Sequence, residues 1–252
     1  MTIPIKNLIL FRKIFRPFFP KEQYPIARKI YDLLFMLFRP KKIKRNDFTL
    51  FIEDGDFFTA EYEPEITDAF RKNVRKDWIV ADVGANIGYH TLELSRLAKK
   101  VYSFEPCKNT YSYLLKNIKA NNLTNVIPVN IALSDKNGPA LLENDGKSGS
   151  NKIGKYGEKI KTVKADDLNV KFDLIKIDVE GHELNVLKGM KKILKNKPIL
   201  IVEYNFLVNQ SFKELLYFLK SHSYTFFDLK RKKKTEIKEL LKHKYFTNLL
   251  CQ

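Results

Sequence analysis

At 252 residues, 44% of them hydrophobic, the chain holds enough apolar material for one α/β domain with additions, or at most two small domains. Its 46 lysines and arginines against 29 acids leave a formal charge of +17, a surface expected to draw phosphates, anionic lipid or acidic glycans without choosing among them. The two cysteines, Cys107 and Cys251, have no paired spacing, which argues against a disulfide framework or a cysteine-based metal centre and favours a reducing compartment.

Lys6, Arg12, Lys13 and Arg16 interrupt the first 20 residues, so no signal-peptide core with a small-residue cleavage site is legible and a cytoplasmic protein is expected. Residues 22–38 read as a helix after Pro17 and Pro20, and the clean apolar run from Leu33 to Phe38 is far short of the roughly 20 residues a bilayer span needs. Residues 1–45 therefore form a basic, aromatic, helical appendage, which either docks on the domain or lies peripherally on an anionic membrane. Residues 46–252 are read as the main domain.

Within that domain, residues 48–52 and 57–62 flank Glu53-Asp54-Gly55-Asp56, a hairpin signal, and 64–75 read as a helix with Pro64 in its first turn. A buried strand at 79–83 then runs into Gly84-Ala85-Asn86-Ile87-Gly88 and a helix at 91–100. A strand at 101–105, a helix at 108–121 and a strand at 126–130 complete a βαβαβ alternation, which implies a parallel sheet with right-handed crossovers. Residues 134–157 turn polar and glycine-rich, a loop or small hairpin, and 160–163 return as a strand. Further strands are expected at 172–179, 198–204 and 224–228, with helices at 183–194 and 212–220. Five adjacent cations, 230–234, are either a phosphate or lipid patch or a hairpin connection, and 245–250 read as a last edge strand.

The glycine loop decides between ligand chemistries. A dinucleotide fingerprint needs glycine at 84, 86 and 89, but Asn86 and Tyr89 stand there; a phosphate-cradling loop needs Gly-Lys-Ser/Thr, but Tyr89-His90 follow Gly88. What remains is a loop that lets a ligand approach the backbone, with the carboxylate of Asp82 beneath it for a cationic group. Glu105, about 20 residues downstream at the second strand's end, stands where an acid takes a ribose diol, or else where it faces the next helix's N-terminus. A cation plus a ribose describes S-adenosyl-L-methionine.

Five stretches occur in order between residues 61 and 205: Tyr62-Glu63-Pro64-Glu65, Val80-Ala81-Asp82-Val83-Gly84-Ala85-Asn86-Ile87-Gly88-Tyr89-His90-Thr91, Ser103-Phe104-Glu105-Pro106, Asn130-Ile131-Ala132-Leu133-Ser134-Asp135, and Asp173-Leu174-Ile175-Lys176-Ile177-Asp178-Val179-Glu180-Gly181-His182-Glu183. On them the chain resembles the FkbM family of S-adenosylmethionine-dependent methyltransferases. The resemblance implies a Rossmann-like class I methyltransferase fold, with a mostly parallel central sheet and helices on both faces. It implies Gly84 to Gly88, with Ala85 and Asn86, at the methionine part of the cofactor, Glu105 at the ribose with Pro106 beside it among the cofactor-binding residues, and Ala132 with its neighbours near the adenine. Cys107 stands where an acid is expected after Glu-Pro, which touches only a peripheral adenine contact, and residues 1–45 and the basic tail fall outside the resemblance.

Strand alternation puts Lys176 and Asp178 on one face, opposite Ile175, Ile177 and Val179. They are either a structural ion pair or part of the catalytic set, in which Asp178 faces both cofactor and transferred methyl and Glu180 and His182 lie in the loop above. No metal is expected, since the spacing of these acids is not diagnostic. On the acceptor side stand Glu203, a further strand-end acid, and Ser150 and Asn151 in the polar loop. The expected reaction is O-methylation of a hydroxyl on a sugar, glycan or other polar small molecule. Contact with anionic membrane through 1–45 and 230–244 is a further expectation. RNA suits the charge, but no RNA-binding module or Asn-Pro-Pro-Tyr motif is legible; a non-catalytic scaffold is disfavoured by the intact Asp82, Gly84, Gly88, Glu105 and Asp178.

Overall fold

The computed structural model describes residues 42–45, 47–52, 63–143, 151–205, 211–242 and 245–252. The expected helix at 22–38, the turn at 53–56 with the strand after it, and Ser150 lie outside the described residues.

Strands β1 (Lys42–Arg45) and β2 (Phe48–Phe51) pair antiparallel, so the end of the stretch assigned to the appendage is joined to the start of the domain. Then come α1 (Pro64–Asn73), β3 (Ile79–Val83), α2 (Tyr89–Leu97), β4 (Lys100–Phe104), α3 (Lys108–Ala120) and β5 (Val126–Val129). Four short strands follow: β6 (Ala132–Leu133), β7 (Gly138–Glu143), β8 (Lys152–Gly154) and β9 (Glu158–Val163). A 3-10 turn, Ala165–Leu168, leads to β10 (Leu174–Ile177), α4 (Glu183–Lys188), α5 (Lys191–Leu194), β11 (Ile199–Asn205) and α6 (Phe212–Ser221). The chain closes with β12 (Phe226–Asp228), β13 (Lys233–Thr235), α7 (Ile237–Lys242) and β14 (Phe246–Cys251).

Eight strands build the main sheet, in the order β13-β12-β14-β11-β10-β3-β4-β5. The five from β11 to β5 pair in parallel. All four residues of β10, Lys176 included, are buried, as a strand is when helices cover both faces of a sheet. On one face Ala81, Val83, Ile175, Ile177 and Val202 pack with Leu184 of α4 and Leu215 of α6. On the other, Val80, Leu174 and Ile201 pack with Phe70 of α1 and Leu94 of α2. The mostly parallel sheet with two helical layers is thus the expected architecture. Strand order reverses between β3 and β10, and a crevice opens there at the strands' carboxyl ends.

Two local readings change. The last strand is no edge: β14 lies between β11 and β12, antiparallel to both, because its polar residues Thr247 and Asn248 are buried on internal partners, Asp228 and Glu63. The helix expected at 183–194 is two, since Asp166 accepts hydrogen bonds from Lys192 N and Ile193 N (both 3.0 Å) and so caps a new start after Gly189. Residues 134–157 carry the expected small hairpin, β7 with β8, and it joins β6 and β9, the strand expected at 160–163, in a second, four-stranded sheet. The cations at 230–234 fall on the β12–β13 connection and the start of β13.

Candidate active site

The loop after β3 is pulled over the sheet by the strand beside it, for Gly84 N and Ala85 N both donate to Phe104 O at 3.0 Å. Only glycine fits at 84: φ is +78°, and a Cβ would lie 1.7 Å from the backbone oxygen of Asp178. Gly88 (φ +96°) opens α2, where a Cβ would meet Leu114 at 2.7 Å. Glu105 ties the loop to the end of β4, accepting from Asn86 N (3.0 Å) through Oε2 and from Cys107 N (2.9 Å) through Oε1. These bonds fix the direction of the carboxylate at the end of β4, on the wall of the cavity.

Behind the loop lies a buried charge triad. Lys176, 3% exposed, has Nζ 3.1 Å from Asp178 Oδ2 and 3.5 Å from Asp82 Oδ1. Thr91 Oγ1 donates to the other oxygen of Asp82 at 2.7 Å. A buried ammonium needs such partners, because leaving it alone costs several kcal/mol. Asp82, expected at the cofactor's cationic end, is fully buried and does not line the cavity; it serves the lysine instead. Gly88 does not line it either, and acts by shaping the turn.

The cavity over the strand ends is lined by Gly84, Ala85, Asn86, Glu105, Pro106 and Ala132 on one side, and by Lys176, Asp178, Glu180, His182 and Glu203 on the other. Asn151 joins the wall, its buried Oδ1 without a hydrogen-bond partner among the described residues. Glu180 sits at φ +52° in a turn pinned by Glu183 Oε1, which accepts from Val179 N (3.2 Å) and Gly181 N (3.0 Å). Burial, then the charges of Asp178 and Glu183, push the Glu180 carboxyl up to about 7 against the pull of Lys176. His182 Nε2 is 2.9 Å from Ser134 Oγ, and burial holds its imidazole below its ordinary value despite Asp135.

Sequence reasoning passed over Glu63 and His90 as site residues, although both fall in the matched stretches. Glu63, at φ +45° before α1, lines the cavity and joins three elements: His90 Nε2 of α2 is 2.9 Å from its Oε2, and Asn248 Nδ2 of β14 donates to its Oε1 at 3.1 Å. Burial raises its carboxyl, but the bond to His90, the charges of His90 and Lys176 and the bond from Asn248 outweigh this and leave it below its ordinary value. The signal available in the sequence was a glutamate directly ahead of a helix-starting proline.

This arrangement of a glycine loop, an oriented acid at the second strand's end and further acids beyond β10 matches a known family over residues 82–226, the Methyltransferase FkbM domain. The chain belongs to the FkbM methyltransferase family. It is 35% identical over 149 residues to the hexuronic acid methyltransferase AglP of Haloferax volcanii, a stretch that spans 56% of this chain and 62% of that relative. Among solved structures it is similar to the methyltransferase FkbM of Methylobacillus flagellatus KT (TM-score 0.50, 15% identity, covering 74% of this chain and 50% of that one). It is similar also to the precorrin-6y C5,15-methyltransferase of Geobacter metallireducens GS-15 (TM-score 0.52, 13% identity, covering 81% and 93%). At those identities the structures establish the class I methyltransferase fold. The FkbM domain takes its methyl group from S-adenosylmethionine. The residues present fit that cofactor: a loop face that only glycine can form, and an oriented carboxylate at Glu105 on the cavity wall.

Proposed function

We propose that this FkbM protein is an O-methyltransferase whose acceptor is a hydroxyl on a sugar or glycan. Gly84, Ala85 and Asn86 hold the methionine part of S-adenosylmethionine, Glu105 and Pro106 its ribose, and Ala132 its adenine side. When bound, the cofactor supplies an electrophilic methyl group. The chain's task is then to align the acceptor oxygen and take its proton, with alignment worth up to about 7–11 kcal/mol and a positioned base about 10²–10⁴-fold.

Glu180 carries this reading. A carboxyl poised at about 7 in the cavity wall is what proton removal from a neutral hydroxyl requires, and the pinned turn beneath it fixes its direction. Asp178, tied to Lys176 at 3.1 Å, lies between the cofactor loop and this base and positions both. The name of the AglP relative, a hexuronic acid methyltransferase, supports a sugar-type acceptor.

The test is incubation with labelled S-adenosylmethionine and separate pools of glycans, lipids and RNA. Label is expected in the glycan pool, and its transfer is expected to fall at least about 100-fold in Asp178→Ala. Label in RNA alone would overturn the sugar reading.

A further inference from the structure

Methyl transfer as set out above leaves Glu203 without a role, yet it lines the same cavity and is 7% exposed. It stands near the end of β11, opposite Asn248 of β14, whose side-chain amide donates to Glu63 instead. No hydrogen bond or ion pair holds the Glu203 carboxyl among the described residues. Four other acids act on it through their charge: Asp178, Glu180 and Glu183 from the segment after β10, and Glu63 from the start of α1, of which Asp178, Glu180 and Glu63 line the same cavity. Lys176, the cation of this group, is engaged by Asp82 and Asp178. So many carboxyls around one cleft cannot all ionise, and a buried one without a partner among the described residues keeps its proton. Burial first, then those four acids, push Glu203 up to about 10.

A neutral carboxyl in such a place carries an O–H that needs an acceptor, and the cavity is where one can enter. We propose that Glu203 is an acceptor-binding residue: as an un-ionised carboxylic acid it donates a hydrogen bond to an oxygen of the methyl acceptor. This rests on the cavity being the acceptor's site. It narrows the acceptor to a molecule with a lone-pair oxygen beside the reacting hydroxyl, as neighbouring positions of a sugar ring provide. Glu180 and Glu203 then divide the chemistry, one taking a proton from the acceptor and the other offering one.

Two measurements test it. Infrared spectra of the protein alone at pH 8 are expected to show the carbonyl band of a buried protonated carboxylic acid, lost in Glu203→Gln; a wild-type spectrum without that band overturns the proposal. With p-nitrophenyl glucoside and p-nitrophenyl glucuronide as acceptors, Glu203→Gln keeps a donor and is expected to hold the acceptor KM within about 3-fold. Glu203→Ala is expected to raise it about 10–100-fold, with S-adenosylmethionine binding unchanged in both variants. If the glutamine variant is as impaired as the alanine one, a charged carboxylate is needed and the proposal fails. If the wild type methylates neither glycoside, the sugar reading fails, and the infrared band still decides whether Glu203 carries the donor proton.

Discussion

Gly84 shows how little freedom the site has at single residues. Its loop rests on the backbone of Asp178 so closely that one methyl group would lie 1.7 Å from the carbonyl oxygen, at a φ that L-residues rarely adopt. Gly84→Ala is therefore expected to cost about 3 kcal/mol, lowering Tm by roughly 6–12 °C, and to weaken S-adenosylmethionine binding in calorimetry. Unchanged melting would mean that the loop does not press on β10. Glu203 sets a second residue-scale expectation. Its folded-state value lies above that of the unfolded chain, so its contribution to stability is full at acid pH, below about 4.5, and is lost as pH rises through about 10. Glu203→Gln is expected to melt with the wild type at pH 4 and above it at pH 8, by thermal denaturation without ligand.

At the scale of elements, side-chain amides of α3 and of Asn121, which caps its C-terminus, stitch β2 to the domain. Asn117, fully buried, accepts from Phe51 N (2.6 Å) and donates to Phe51 O (3.0 Å) and Ile87 O (2.7 Å), while Asn121 makes the same paired contact with Thr49. Asn117→Ala leaves these groups unmatched, an expected loss of about 2–4 kcal/mol, read as faster hydrogen exchange at Thr49 and Phe51 before the rest of the sheet opens. Such long-range bonds were not legible in the sequence, where asparagines on a predicted helix look like ordinary surface residues. β3, β4 and β10 were legible because strands covered on both faces are mostly apolar, here interrupted only by Asp82, Ser103 and Lys176 within the runs. β14 was misplaced for the converse reason: Thr247 and Asn248 look exposed until Asp228 and Glu63, 19 and 185 residues away in sequence, arrive to bond them.

Across the whole molecule, the topological reversal between β3 and β10 brings together loops that are remote in sequence, and the chemistry of the site is the sum of what they carry there. The cofactor side was legible because it is local: one strand, one loop and the next strand's terminal acid. The acceptor side was not, because its charges act on each other only after folding. Asp82 looked like a ligand and is a buried counter-charge of Lys176, whereas Glu63 attracted no role and spans three elements. Among the described residues no helix is long and apolar enough to cross a membrane.

The central claim is that this cavity removes a proton from a hydroxyl as the methyl group is transferred, and the pH dependence of labelled transfer to a glycoside tests it most directly. In the wild type the rate is expected to rise as pH passes about 7, where Glu180 loses its proton, and the label to withstand alkali as a methyl ether. Glu180→Gln is expected to lower the rate about 10²–10⁴-fold and to abolish that rise, with S-adenosylmethionine binding intact. An undiminished rate in Glu180→Gln, or label released by alkali as from an ester, would contradict the account.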